Sequence, residues 1–163
     1  MAAKKTSKSK KAAKKPAKRA AAKRAPAKSA KDEKTLRLAS ASPSLTVNDV
    51  HLSLAWYRDV LGFVPGERWE HEGKLLGIEM NAGAVSFMIG QDDWKKGRDR
   101  IKGVGVRIFC MTDQDIDRLA TRIKANGGTL SSGPTDQPWG MRELSIDDPD
   151  GYKITIAKEL KKR

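Results

Sequence analysis

The densest chemistry in the sequence lies in the run Gln137-Pro138-Trp139-Gly140-Met141-Arg142-Glu143-Leu144. Pro138 restricts the backbone ahead of the indole and Gly140 removes a side chain behind it, so Trp139 is expected to offer a bare aromatic face to a planar ligand. Trp69 and Trp94, on or near loops, supply two further candidate faces, and Asp92 and Asp93 would attract a cationic group. Arg142-Glu143 reads as a structural ion pair, and Trp56 beside Tyr57 reads as packing. Glu79 and Glu143 have no partner at a spacing that suggests general acid–base work. Cys110 is the single cysteine, so one chain forms neither an internal disulfide nor a cysteine zinc site.

These residues must be positioned by a regular framework. Ser42-Pro43-Ser44-Leu45-Thr46-Val47 alternates as a strand, with Pro43, Leu45 and Val47 on an apolar face and the hydroxyls of Ser42, Ser44 and Thr46 on the other. A helix from about Asp49 to Leu61 follows, with Val50, Leu54, Tyr57 and Leu61 at helical spacing and Gly62 as its stop. His51 falls between those stripe positions and His71 falls in a turn, so neither is placed to ligate. Phe63 to Trp69, Leu75 to Met80 and Val85 to Ile89 then read as strands separated by His71-Glu72-Gly73 and Asn81-Ala82-Gly83. The order repeats as a strand over Gly103 to Cys110, a helix over Asp115 to Ala125, and strands at Thr129-Leu130, Met141 to Ile146 and Tyr152 to Ala157. The expected class is α+β, two βαβββ modules over about residues 38–90 and 103–158 in a domain spanning 36–163.

Ahead of that domain, residues 1–35 hold fourteen Lys and Arg against Asp32 and Glu33, a net of +12 out of the chain's +13. No Leu, Ile, Val or aromatic residue occurs there, so no burial offsets an ordering cost of about 1–2 kcal/mol per residue, and disorder is expected. The cations Lys4, Lys5, Lys10, Lys11, Lys14, Lys15, Lys18, Arg19, Lys23 and Arg24 are candidates for neutralising nucleic-acid phosphates without reading bases. The Lys/Ala/Pro texture resembles the tails of linker histones and of histone-like bacterial proteins; a merely solubilising tail is the alternative. No stretch approaches the roughly 18 apolar residues of a spanning helix, and the N-terminus lacks the apolar core of a secretory signal. A cytoplasmic protein is expected, with nucleoid association open through the tail.

Pro43-Ser44-Leu45-Thr46-Val47-Asn48-Asp49-Val50, with Leu54-Ala55-Trp56-Tyr57-Arg58-Asp59-Val60-Leu61-Gly62-Phe63, resembles the opening of a vicinal oxygen chelate module. The run around Trp139 and the turn Asp148-Pro149-Asp150-Gly151 resemble the closing hairpin of bleomycin resistance proteins. The resemblance covers nearly all of Leu36 to Lys158. It implies a curved mixed sheet forming a cup, a ligand site in which Trp139 stacks on a flat heterocycle, and a homodimer. In the family's enzymes His or Glu side chains hold a divalent metal in that cup. The matching positions here are Ser42, the stretch Gly105-Val106-Arg107-Ile108, the strand Val85 to Ile89, and Thr155, none of which supplies imidazole or carboxylate.

No metal and no cofactor is therefore expected, and the ligand-binding candidates are Trp139, Trp69, Trp94, Ser42, Ser44 and Gly140. Three functions stay open at this point. The first is a non-enzymatic protein that sequesters a flat aromatic or cationic small molecule such as a glycopeptide antibiotic. The second is a metal-dependent lyase, isomerase or dioxygenase of the same fold. The third is a nucleoid-associated protein that binds DNA through its tail.

Overall fold

The computed structural model describes Leu36 and residues 38–161; the expected basic tail lies outside the described residues. Strand β1 (Ser44–Val47) leads through Asp49 into helix α1 (Val50–Trp56), whose first turn is capped by the Asp49 carboxylate accepting from the His51 and Leu52 amides. The helix continues as a π turn over Tyr57–Leu61 and ends at Gly62, which takes φ 80°. That left-handed backbone costs glycine little, and the Phe63 amide closes the end on the Tyr57 carbonyl. Strands β2 (Val64–His71), β3 (Lys74–Ala82) and β4 (Val85–Gln91) complete a first sheet of order β1-β4-β3-β2, in which β1 is parallel to β4.

The second half repeats the pattern. Strand β5 (Arg107–Met111), helix α2 (Ile116–Ala125), and strands β6 (Leu130–Asp136), β7 (Met141–Asp147) and β8 (Lys153–Glu159) form a sheet of order β5-β8-β7-β6. Two βαβββ modules are thus present, as expected. The inward stripe of α2, Ile116, Leu119, Ala120 and Ile123, is buried as its spacing dictates.

Two elements differ from expectation. The strand expected from Gly103 begins only at Arg107: Gly103 (φ 70°) and Gly105 (φ 74°) both take left-handed backbone, outside the β region, and the two in close succession break the extended run. Gly103 also packs directly on the Gly151 carbonyl, leaving no room for a Cβ. Conversely, β6 runs well beyond Thr129-Leu130, sustained by pairing with β7 through two register shifts rather than by its own residue pattern.

No strand of one sheet pairs with a strand of the other. The sheets share a core instead, in which Leu45, Val47, Ile78, Phe87 and Ile89 from the first meet Leu144, Ile146 and Ile154 from the second. Within it Tyr57 stands edge-on to Trp56, Phe63 and Phe87 at centroid distances of 5.0, 5.5 and 6.0 Å. Polar ties fix the modules to each other. Tyr57 Oη donates to Asp148 Oδ2 at 3.0 Å, the Asn48 amide donates to Asp150 Oδ1 at 2.9 Å, and Tyr152 Oη donates to the Thr46 carbonyl at 3.0 Å. Among the described residues no helix is long and apolar enough to cross a membrane.

The Tyr57→Phe variant should unfold in urea with a loss of about 1–3 kcal/mol, since it strips a buried carboxylate of a donor. Burial pushes the Asp148 carboxyl above the usual carboxylate range, against the opposing donors Tyr152, Tyr57 and Asp150. Its contribution to stability is therefore greatest below the ordinary carboxylate pKa and declines as pH rises through the raised value. An Asp148→Asn variant should flatten that part of the stability–pH curve, and an unchanged curve would contradict the assignment.

Candidate functional site

Strand alternation gives each sheet one face for the core and one face away from it. On the first sheet the second face carries Ser44, Met88 and Glu79 in one row and Thr46, Gly90, Gly77 and Trp69 in the next. Ser42 joins it just before β1, its hydroxyl 3.1 Å from that of Ser86. A Cβ on Gly77 would stand 3.0 Å from Trp69 Cε3, so the missing side chain is what lets the indole lie against the strand. Trp69 remains 38% exposed. Glu79 is half-buried on the same face and accepts a long 3.5 Å hydrogen bond from Asn81.

The second sheet carries a more elaborate face. Ile108 and Cys110 pack against the core, which turns Arg107, Phe109 and Met111 outward. Register aligns Phe109 with Thr155 and Thr155 with Ser145, and aligns Met111 with Ala157 and Ala157 with Glu143. Arg107 Nη1 donates to Thr155 Oγ1 at 2.8 Å and to Ser145 Oγ at 3.3 Å, while those two hydroxyls lie 3.0 Å apart. At the end of β7, Trp139 Nε1 donates to Glu143 Oε1 at 2.8 Å. That bond pins the edge of the indole to a buried carboxylate, yet the residue stays 64% exposed. The supporting turn is tight: the Gly140 amide bonds the Gln137 carbonyl, Gly140 takes φ 84°, and nothing lies within 4 Å of where its Cβ would be.

The six ligand-binding candidates therefore fall into three places. Ser42, Ser44 and Trp69 share the free face of the first sheet, Trp139 and Gly140 sit at the β6–β7 hairpin of the second, and Trp94 lies in the connection between modules. Trp94 has φ 59°, and its ring is approached by the Arg98 guanidinium at 4.7 Å and the Lys102 ammonium at 4.9 Å. Asp92 is buried and spends its charge inside this loop on Lys102 and Arg100, each at 2.9 Å. The Lys102 hydrogen bond and the Trp94 backbone amide, with Arg100 beside them, hold its carboxyl below the usual carboxylate range. Arg142 turns away from Glu143 and pairs with Asp117 and Asp136. The alternation Arg107-Ile108-Phe109-Cys110-Met111 was available in the sequence as a signal for the outward residues; their hydroxyl partners on other strands were not.

The family's divalent metal does not fit these residues. Thr155 and Ser145 are engaged by a guanidinium, whose charge opposes a second cation at the same spot. Ser42 is bonded to another hydroxyl. Among the described residues no three His, Cys, Asp or Glu side chains converge.

With this geometry in hand, the family model of the Glyoxalase/Bleomycin resistance protein/Dioxygenase superfamily matches residues 37–156. The chain belongs to this superfamily. Several solved structures share the superfamily's fold with it. An antibiotic binding protein, TnmS3 from Streptomyces sp. CB03234, is 22% identical over 76% of this chain and 99% of its own, with a TM-score of 0.57. TioX from Micromonospora sp. ML1 is 19% identical over 74% and 100%, with a TM-score of 0.59. A superfamily member from Sphaerobacter thermophilus DSM 20745 is 24% identical over 72% and 94%, with a TM-score of 0.60. Among curated proteins none matches the chain.

The donor set leads to a direct expectation. After equilibration with Zn²⁺ or Mn²⁺ and removal of free ion, elemental analysis of the protein should find well below one metal per chain. One tightly held ion per chain would contradict the reading of Thr155 and Ser145 as Arg107 partners.

Proposed function

We propose that this superfamily member is a non-metal small-molecule binding protein that takes a flat aromatic ligand, such as an antibiotic, on the free face of its second sheet. The observation that carries the reading is the Trp139–Glu143 hydrogen bond. Pinning the indole by its N–H edge removes its rotational freedom in advance, so a ring stacking on the open π face does not have to order it. Phe109 and Met111, 51% and 50% exposed, add apolar surface on the same sheet, with Met111 two strands across from Glu143. The description of the fold relative TnmS3 as antibiotic binding supports the same class of ligand. Strands β1 and β5 each pair on one side only, and we propose that a second copy of the chain completes the cup and covers part of this surface.

Titration with a panel of flat aromatic antibiotics, bleomycin among them, should produce saturable quenching of tryptophan fluorescence with at least one member at micromolar concentration. Trp139→Ala should weaken that binding by about tenfold, the equivalent of about 1.4 kcal/mol of lost stacking. No saturable change with any member into the high micromolar range would remove the reading.

A second activity is favoured by the fourteen cations and two anions of residues 1–35. We propose that this segment binds nucleic acid without sequence preference. DNA affinity of the full chain should fall steeply with salt, at a slope of about 0.9 per phosphate engaged. A chain beginning at Leu36 should lose that affinity; tail-independent binding would contradict the proposal.

A further inference from the structure

Arg107 is held in an unusual way for a guanidinium on a protein face. Its two partners, Thr155 and Ser145, are neutral hydroxyls, and both bonds come from the single nitrogen Nη1. Among the described residues no carboxylate lies within ion-pair distance of it, whereas Arg142 on the same sheet has two and Arg100 has one. The hydroxyls fix the direction of the side chain and leave its charge whole. Nε and Nη2, which form the side edge of the fork, make no hydrogen bond among the described residues, and a carboxylate matches that edge with two parallel bonds.

The neighbourhood decides what such a group is for. Arg107 shares its face with Phe109 and Met111, and on the same sheet the Trp139 indole is pinned open by Glu143. A ligand ring lying over these apolar groups would exclude water from the guanidinium edge, and a charge-assisted pair gains strength when water leaves. Glu143 places a negative charge toward the Trp139 end of the face, so an anionic ligand is oriented with its acidic group at the Arg107 end.

We propose that Arg107 is the specificity-determining residue of the site and selects planar ligands that carry a carboxylate or comparable anionic group. The proposal rests on the ligand-binding reading of the second sheet and narrows it, since a cationic ligand would meet an unneutralised guanidinium.

The test uses the full chain and a matched pair of probes, 2-naphthoate and 2-naphthamide, which differ in charge and little in shape. Tryptophan fluorescence titrations at fixed ionic strength should show naphthoate binding at least tenfold more tightly than naphthamide. In Arg107→Gln that preference should collapse to within about twofold, and Arg107→Lys should restore part of it. Because the basic N-terminal segment is unchanged in all three proteins, any attraction it exerts on naphthoate cancels. Equal binding of both probes by the parent overturns the inference and leaves the aromatic site standing. A preference that survives in Arg107→Gln overturns it as well. Binding of neither probe removes the site and the inference together.

Discussion

Two four-stranded sheets with no strand pairing between them need another tie, and the turn Asp148-Pro149-Asp150-Gly151 provides it. Asp148 receives the Tyr57 hydroxyl, and Asp150 receives the Asn48 amide and the Ser53 hydroxyl, so one turn of the second module grips the start and the middle of the first module's helix. The Asp148 carboxylate also accepts from the Asp150 and Tyr152 amides, which makes the turn rigid on its own account. Gly103 presses onto the same turn from the inter-module connection. With the turn seated there, the helix-facing sides of both sheets share one core, interrupted by a cleft lined by Phe63, Leu119, Ile123 and Ile156, and their other faces point away from it.

Those faces are unequal. The first presents small hydroxyls, glycines, Met88, Trp69 and the half-buried Glu79 carboxylate. The second combines a fixed aromatic plate, a buried carboxylate that holds the plate, two exposed apolar side chains and a guanidinium with a free edge. In the superfamily's enzymes, as the sequence resemblance implies, the corresponding cup is organised around a divalent cation. Here the cation on the sheet is covalently part of the chain, and it offers directional hydrogen bonds in place of open coordination positions. Recognition of a ligand anion follows more naturally from such a group than activation of a bound oxygen.

Much of this framework was legible in the residues. Helix stripes such as Ile116, Leu119, Ala120 and Ile123 announce themselves by period, and the alternation from Ser42 to Val47 separates hydroxyls from core without reference to any other strand. The bare indole of Trp139 could be anticipated because Pro138 and Gly140 are its immediate neighbours. Strand β6 could not, since Ser131-Ser132-Gly133-Pro134-Thr135 has no alternating pattern and is extended only because β7 lies beside it. The partners of Arg107 were likewise hidden: they come from 38 and 48 residues further along the chain, and only the register of β5, β8 and β7 brings them together. The charge of Asp92 was read as available, whereas Lys102 and Arg100, eight to ten residues later, fold back and neutralise it.

On the proposed reading, the free face of the second sheet holds an organic ligand between an aromatic plate and a guanidinium. A crystal structure of the protein with 2-naphthoate addresses it most directly. The naphthalene ring should lie over the Trp139 face and the carboxylate should bridge Nε and Nη2 of Arg107, with the Thr155 and Ser145 bonds intact. A ring bound elsewhere, or a metal ion displacing Arg107 from those hydroxyls, would contradict it.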